Sequence, residues 1–194
     1  MPIECYREIL SQADEEEVRE GKAWYDKAHA QAQAMAQETG KSVEVAAGVI
    51  AVLSPQVEWN LNLRVAKDAL KYKGKAKRVP GYRRNWDKAR AVMKGKFECS
   101  RGPKVRAFYE TILNPAHEEP VLDFHMIAAW WMGRIDKKDI KTVSDSKKRT
   151  EPMRRAIKEI AREEGLWAGQ VQAIIWLTFK RMQGRYCEQL KLWG

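Results

Sequence analysis

Cysteine and histidine are both scarce, with three of each among 194 residues. Cys5, Cys99 and Cys187 lie far apart and form neither a metal-ligand spacing nor an obvious disulfide set. A reduced, intracellular protein without a bound metal is therefore expected. No apolar run reaches membrane-spanning length. The opening residues, Met1-Pro2-Ile3-Glu4-Cys5, have neither the basic nor the apolar region of a secretory leader, so no membrane partner is expected. Strand-like alternation of apolar and polar residues is missing, as are internal repeats and low-complexity linkers. Nothing in the composition signals an oligomeric state. What remains is a helical domain, with 44% hydrophobic residues to bury and 32% charged residues to keep its surface wet.

Charge of one sign is concentrated. Lysine and arginine number 36 against 26 aspartate and glutamate, a formal net charge of +10. From Leu61 to Arg106 there are 16 cations against Asp68, Asp87 and Glu98, a net +13, which leaves the remainder of the chain at −3. Such segregation is expected of a surface that meets phosphates, and a nucleic acid is the expected partner. The competing reading is a solvated basic surface. The segment runs directly into a glycine–lysine turn, which favours the first reading.

Helical spacing of apolar residues runs through nearly the whole chain. Asp14 is placed to cap a helix whose first turn holds Glu15, Glu16 and Glu17, and Thr39-Gly40 to end it. Ser42 opens a second helix, apolar on most sides and therefore central. It stops at Ser54-Pro55-Gln56, because proline disfavours helix at the residue before it. A third helix opens at Trp59 and ends near Lys73-Gly74, a basic loop with Pro80-Gly81 follows, and a fourth runs from Asn85 to Met93. Pro103 suits the first turn of a fifth helix, Lys104 to Leu113. Asp123 begins an apolar helix reaching Met132. Lys137 to Arg149 reads as a short helix plus an exposed loop, with further helices over Met153 to Glu164 and Leu166 to Met182. The eight tryptophans read mostly as core residues at helical spacing. The fold class is all-α.

Three short motifs stand in an informative order. Val52-Leu53-Ser54-Pro55-Gln56, with Asn62 behind it, ends the central apolar helix. Gly102-Pro103-Lys104-Val105 follows the basic segment. Val121-Leu122-Asp123-Phe124-His125 comes a helix and a loop later. In this order, over about Val45 to Gln183, the motifs resemble the helix-hairpin-helix superfamily of DNA glycosylases, the group of endonuclease III and the 8-oxoguanine glycosylases. The resemblance implies one glycosylase-like domain of two packed helical lobes, about 42–122, and about 1–41 together with 123–194. It implies Lys104 and Asp123 as the catalytic pair and Gln56 as the wedge that fills a gap in the duplex. DNA contacts would come from Arg83, Arg84, Arg101, Gly102 and Arg106. The place expected is the cytoplasm, with the nucleoid. Ser100 stands where the family hairpin carries its first glycine, and the stretch from Gln56 to Lys104 is short for the larger members. Cys187 lies where the iron–sulfur members begin their cysteine cluster, but no cysteine follows it, so neither a cluster nor another cofactor is expected.

The chemistry explains the residue types. Breaking an N-glycosidic bond develops positive charge on the sugar, and a carboxylate such as Asp123 can stabilise that charge or orient the attacking group. A lysine such as Lys104 can attack the sugar carbon as a neutral amine and form a Schiff base, which permits strand cleavage by β-elimination. The base must leave the stack to be reached, and Trp59, Trp86, Phe124 and His125 are candidate stacking or pocket residues. Backbone N–H groups from Arg101 to Lys104 would hold a phosphate at a helix start. Blander roles exist for each: Lys104 as a phosphate contact only, Asp123 as a helix cap, Gln56 as a turn residue, His125 as a structural partner of the aspartate region. Two other functional classes fit the same residues. One is a glycosylase-fold enzyme of phage thymine hypermodification, transferring a group to an activated 5-substituted pyrimidine. The other is a non-catalytic DNA-binding module.

Overall fold

The computed structural model describes residues 2–72, 83–97 and 102–192, except for the side chains at 2, 83, 84 and 185–192. Among the described residues there are ten helices and no strand. They are α1 (Pro2–Ser11), α2 (Glu15–Thr39), α3 (Val43–Leu53), α4 (Trp59–Lys71), α5 (Arg83–Val92), α6 (Pro103–Leu113), α7 (Phe124–Ala129), α8 (Lys137–Ser144), α9 (Lys147–Glu164) and α10 (Ala168–Leu192). The all-α class read from the sequence is therefore the class observed. Among the described residues no helix is long and apolar enough to cross a membrane.

Local chemistry sets most helix starts. At α2 the Asp14 carboxylate accepts from the Glu17 backbone N–H at 2.8 Å, and the Glu17 carboxylate accepts from the Asp14 N–H at 3.1 Å. This reciprocal box satisfies two of the donors that a helix start leaves open. The Ser42 hydroxyl accepts from Val45 N at 3.3 Å to start α3. Ser146 does the same for Arg149 N at α9. Gly165, with φ 64°, closes α9 in the left-handed conformation that suits glycine.

One helix lies where none was expected, and three expectations need correction. Residues Pro2–Ser11 form a helix that neither charge nor motif marks; its buried Tyr6 and Ile9 lie three apart on one face. The helix after Asp123 ends at Ala129 rather than Met132. Met132 and Gly133 both take positive φ, 51° and 78°, and the Gly133 N–H turns back to Ala128 O. Helix α9 begins at Lys147, not Met153, with Pro152 inside it; the Ser146 cap starts the helix despite the donor that proline removes. Helix α10 runs on to Leu192, beyond the expected Met182.

The chain divides into two compact units, Met1–Tyr25 with Ala116–Gly194, and Asp26–Pro115. The lobe boundaries expected from the resemblance lie elsewhere, at 41/42 and 122/123. The difference at the first boundary arises because the latter part of α2, through Ala28, Ala32 and Ala36, is buried in the core of Asp26–Pro115.

In the unit of Met1–Tyr25 and Ala116–Gly194, large side chains fill the core, among them Tyr6, Met126, Met153, Ile157 and Ile175. The Tyr6 hydroxyl donates to Met126 O at 2.9 Å, and Trp130 packs edge-on against the Tyr6 ring. In Asp26–Pro115, α3 is central, with α4, α5 and α6 packed on it. Its core is rich in alanine (Ala46, Ala47, Ala66, Ala69, Ala89) around Ile50 and Leu70, and such small residues let helices approach closely.

Candidate active site

The candidate residues divide between the units. Gln56, Trp59, Gly102, Lys104 and Arg106 belong to Asp26–Pro115, and Asp123, Phe124 and His125 to the other unit. Arg101 lies outside the described residues. Arg83 and Arg84 stand in the first turn of α5, with their side chains outside those described.

Asp123 is the most closely held of them. It caps α7 with its backbone extended, and its Oδ1 accepts from Met126 N at 2.9 Å. Its Oδ2 accepts from the indole N–H of Trp176, on α10, at 3.1 Å. Both oxygens are thus aimed by fixed donors, one from the backbone of the next helix and one from a rigid ring. The Asp123 charge is also felt inside the unit. Burial pushes the Tyr6 and Tyr25 phenols well above their ordinary range, and the Asp123 carboxylate adds to both shifts.

A chain of aromatic rings runs from this carboxylate through Trp176, His125 and Phe124. Phe124, 40% exposed, opens α7 and meets the His125 ring edge-on. His125 meets Trp176 edge-on in turn, and its Nδ1 is buried with no hydrogen-bond partner among the described residues. Trp24 also packs against Trp176, at 5.5 Å between centroids. One helical turn beyond Trp176, the Lys180 ammonium lies 4.1 Å from the centre of its indole ring. Helical spacing alone assigns Trp176 to the core, and no local pattern ties it to a carboxylate 53 residues away. The only trace is the i, i+4 spacing of Trp176 and Lys180. Trp167, which the same spacing assigns to the core, is 56% exposed.

In the other unit, the end of α3 is built around Gln56. Ser54 donates its hydroxyl to Ala51 O at 2.9 Å, and the Asn62 amide donates to Ile50 O at 3.1 Å, so side chains satisfy two carbonyls of the last turn. The turn closes with Val57 N to Ser54 O. It leaves Gln56 exposed with φ 62°, a left-handed conformation uncommon outside glycine. Trp59, at the start of α4, packs edge-on against Phe108, and Trp86 is half-buried in the same core.

Gly102 precedes α6 and offers no side-chain cap, while Pro103 occupies the first turn. Open space surrounds the position where a Gly102 Cβ would stand, and its φ is −69°, so neither packing nor backbone conformation demands glycine there. Lys104 is half-buried in that same first turn. Arg106 is exposed and bonded to Glu110 at 2.9 Å, one turn along α6. The arrangement offers an uncapped helix start beside a lysine, the local chemistry of an anion site.

A family model described as a family of unknown function, DUF7178, matches residues 4–183 of the chain. No curated protein and no solved structure matches it.

Proposed function

We propose that this chain, which belongs to DUF7178, a family of unknown function, is a DNA glycosylase that flips out and excises a modified or damaged base on a helix-hairpin-helix type of fold. The observation that carries the reading is the double anchoring of Asp123 by Met126 N and the Trp176 indole, beside an exposed aromatic ring. A carboxylate held in this way can face the sugar as the bond from its anomeric carbon to the base breaks. The departing base takes the bonding electrons, and the carboxylate balances the charge left on the sugar or aims the water that attacks it. Phe124 presents a face on which an extruded base can stack, next to His125.

The other unit supplies features that suit the duplex. The start of α6 at Gly102 to Lys104 is open to a phosphate, and a glycine with no structural need for its small size permits close approach of a backbone. Gln56 carries an uncommon backbone conformation at an exposed position, which supports a wedge role. Lys104 is the candidate nucleophile for a lyase step. After base release its amine would add to the C1′ aldehyde and lose water to form a Schiff base. Removal of a C2′ proton would then break the C3′–O bond and release the 3′ phosphate.

The test is mass spectrometry of free bases after incubation with DNA carrying varied modifications, with a borohydride trap in parallel. A released base with an adduct that disappears in Lys104→Ala establishes a bifunctional enzyme. A released base without an adduct leaves Asp123 as the centre and Lys104 as a phosphate contact. A mass gain on a base without its release replaces excision by group transfer. Binding with no change in the DNA reduces the protein to a binding module.

A further inference from the structure

Six cations stand along α8 and in the first turn of α9 without a carboxylate partner among the described residues. Lys137, Lys138 and Lys141 of α8, and Lys147, Lys148 and Arg149 of α9, are all exposed, and none forms an ion pair among the described residues. Only Asp145 and Ser146 separate the two helices. Lys141 in the last turn of α8 and the three cations in the first turn of α9 therefore gather at one corner. Lys137 and Lys141 are four apart and share a stripe of α8, while Ile140 and Val143 are buried on its inner side. From 137 to 149 only Asp139 and Asp145 are acidic, so this stretch has a net charge of +4.

Several other cations of the same unit are paired, whereas Lys22, Arg134, Arg155 and Arg162 are exposed without an ion pair among the described residues. Arg7 bonds Glu4, Glu159 and Glu163, Arg154 and Lys158 share Glu119, and Arg181 holds Glu17. The unit as a whole carries 18 Lys plus Arg against 18 Asp plus Glu, so the corner is a local excess in a neutral body. The placement also works against the helix. A first turn favours carboxylates, as the three glutamates of α2 illustrate, yet the first turn of α9 holds three cations and no acid. An anion bound at the corner would reverse that penalty.

We propose that the α8–α9 corner is a second contact for the phosphate backbone of nucleic acid, carried by the unit that holds Asp123 and independent of the basic segment from Leu61 to Arg106. The identity of the polyanion rests on the DNA-processing reading above. Helix α8 packs directly against α7, the helix that Asp123 caps, so the corner anchors the substrate strand on the body that carries the carboxylate. A lipid surface fits less well. Among the described residues the exposed large hydrophobics are Tyr72, Phe124 and Trp167, none of them on α8 or α9, and a membrane-surface helix needs an apolar face beside its cations.

The experiment measures the salt dependence of duplex affinity for the whole protein and two triple variants, Lys137→Gln/Lys138→Gln/Lys141→Gln and Lys147→Gln/Lys148→Gln/Arg149→Gln. A Lys22→Gln/Arg162→Gln variant, altered at exposed cations outside the corner, serves as the control. Removing one cation from a phosphate should flatten the log–log slope by about 0.9, so the slope of the α9 triple should fall by two to three such increments, with affinity down roughly a hundredfold at low salt. The control should match the unaltered chain. Unchanged slopes in both triples, with duplex still bound, would overturn the corner proposal and leave the glycosylase reading standing. An intact chain that binds no DNA would overturn both. Capture of the chain by vesicles containing phosphatidylserine, abolished in the triples while duplex affinity stays the same, would reassign the corner to a membrane.

Discussion

The two units of this chain are built in opposite ways. Asp26–Pro115 carries a net charge of +10, 18 Lys plus Arg against eight Asp plus Glu, around a core of alanines and mid-sized aliphatics. The unit of Met1–Tyr25 and Ala116–Gly194 is neutral, has a core of large side chains, and binds most of its buried or half-buried charges to named partners. Neutrality there leaves the field around Asp123 to be set by a few neighbours. A surplus of cations in the other unit suits a surface that attracts a polyanion without fixing one geometry. Under the proposed function the neutral unit holds the carboxylate that assists base release, and the basic unit collects substrate and supplies Lys104 for the lyase step.

The comparison can be broken first at Arg181. Burial alone would push the Glu17 carboxyl up, but the Arg181 guanidinium, the Asp14 N–H and the Thr178 hydroxyl together hold it below its ordinary value. Arg181→Met leaves Glu17 buried without its cation and should cost about 3 kcal/mol in chemical denaturation. The sign for pH follows from the depressed carboxyl. Its contribution is complete above the ordinary value of 4.5, and is lost as pH falls from there through the folded value. The unaltered protein should therefore lose stability over that window, and Arg181→Met should show a flatter decline.

Next come two glycines, one in each unit. A Cβ on Gly21 would stand 2.8 Å from Ile174 N and 2.9 Å from Ile174 Cα, backbone that cannot yield. On Gly48 it would meet the Val92 and Phe97 side chains instead, at 2.7 and 3.2 Å. Gly21→Ala should cost about 2–3 kcal/mol. Gly48→Ala should cost about 1 kcal/mol, because side chains can shift and alanine favours helix. Equal losses in thermal unfolding would show that the alanine-rich core is as unyielding as the other.

Smaller effects sharpen the division of labour. Trp176→Phe keeps the ring but removes the donor to Asp123, so base release should fall about tenfold with duplex affinity unchanged. Gly102→Ser should do the reverse. It improves the cap of α6 and raises stability by a few tenths of a kcal/mol, yet it should weaken duplex binding about threefold by crowding the phosphate. A stronger-binding Gly102→Ser protein would remove α6 from the DNA-facing surface.

Capping made much of this legible from sequence. Asp14, Ser42 and Asp123 each bond a donor three residues on, so the signal and its consequence lie within one turn. The division inside α2 left no such mark, because a continuous helix gives no break in composition where its burial changes hands. The early end of α7 depends on a left-handed Met132, which its apolar neighbours do not announce. The anchoring of Asp123 by Trp176 spans 53 residues and exists only once α10 has packed on α7. The basic segment is legible directly as charge, since charge needs no packing to be read.

The most direct measurement sets Asp123→Asn beside the unaltered protein, with base release followed by mass spectrometry and duplex affinity measured on the same preparations. Asparagine still caps α7, so the helix start survives while the charge is gone. The account predicts release reduced by roughly 100-fold or more, with affinity retained. An Asp123→Asn protein that releases base at the full rate would contradict it.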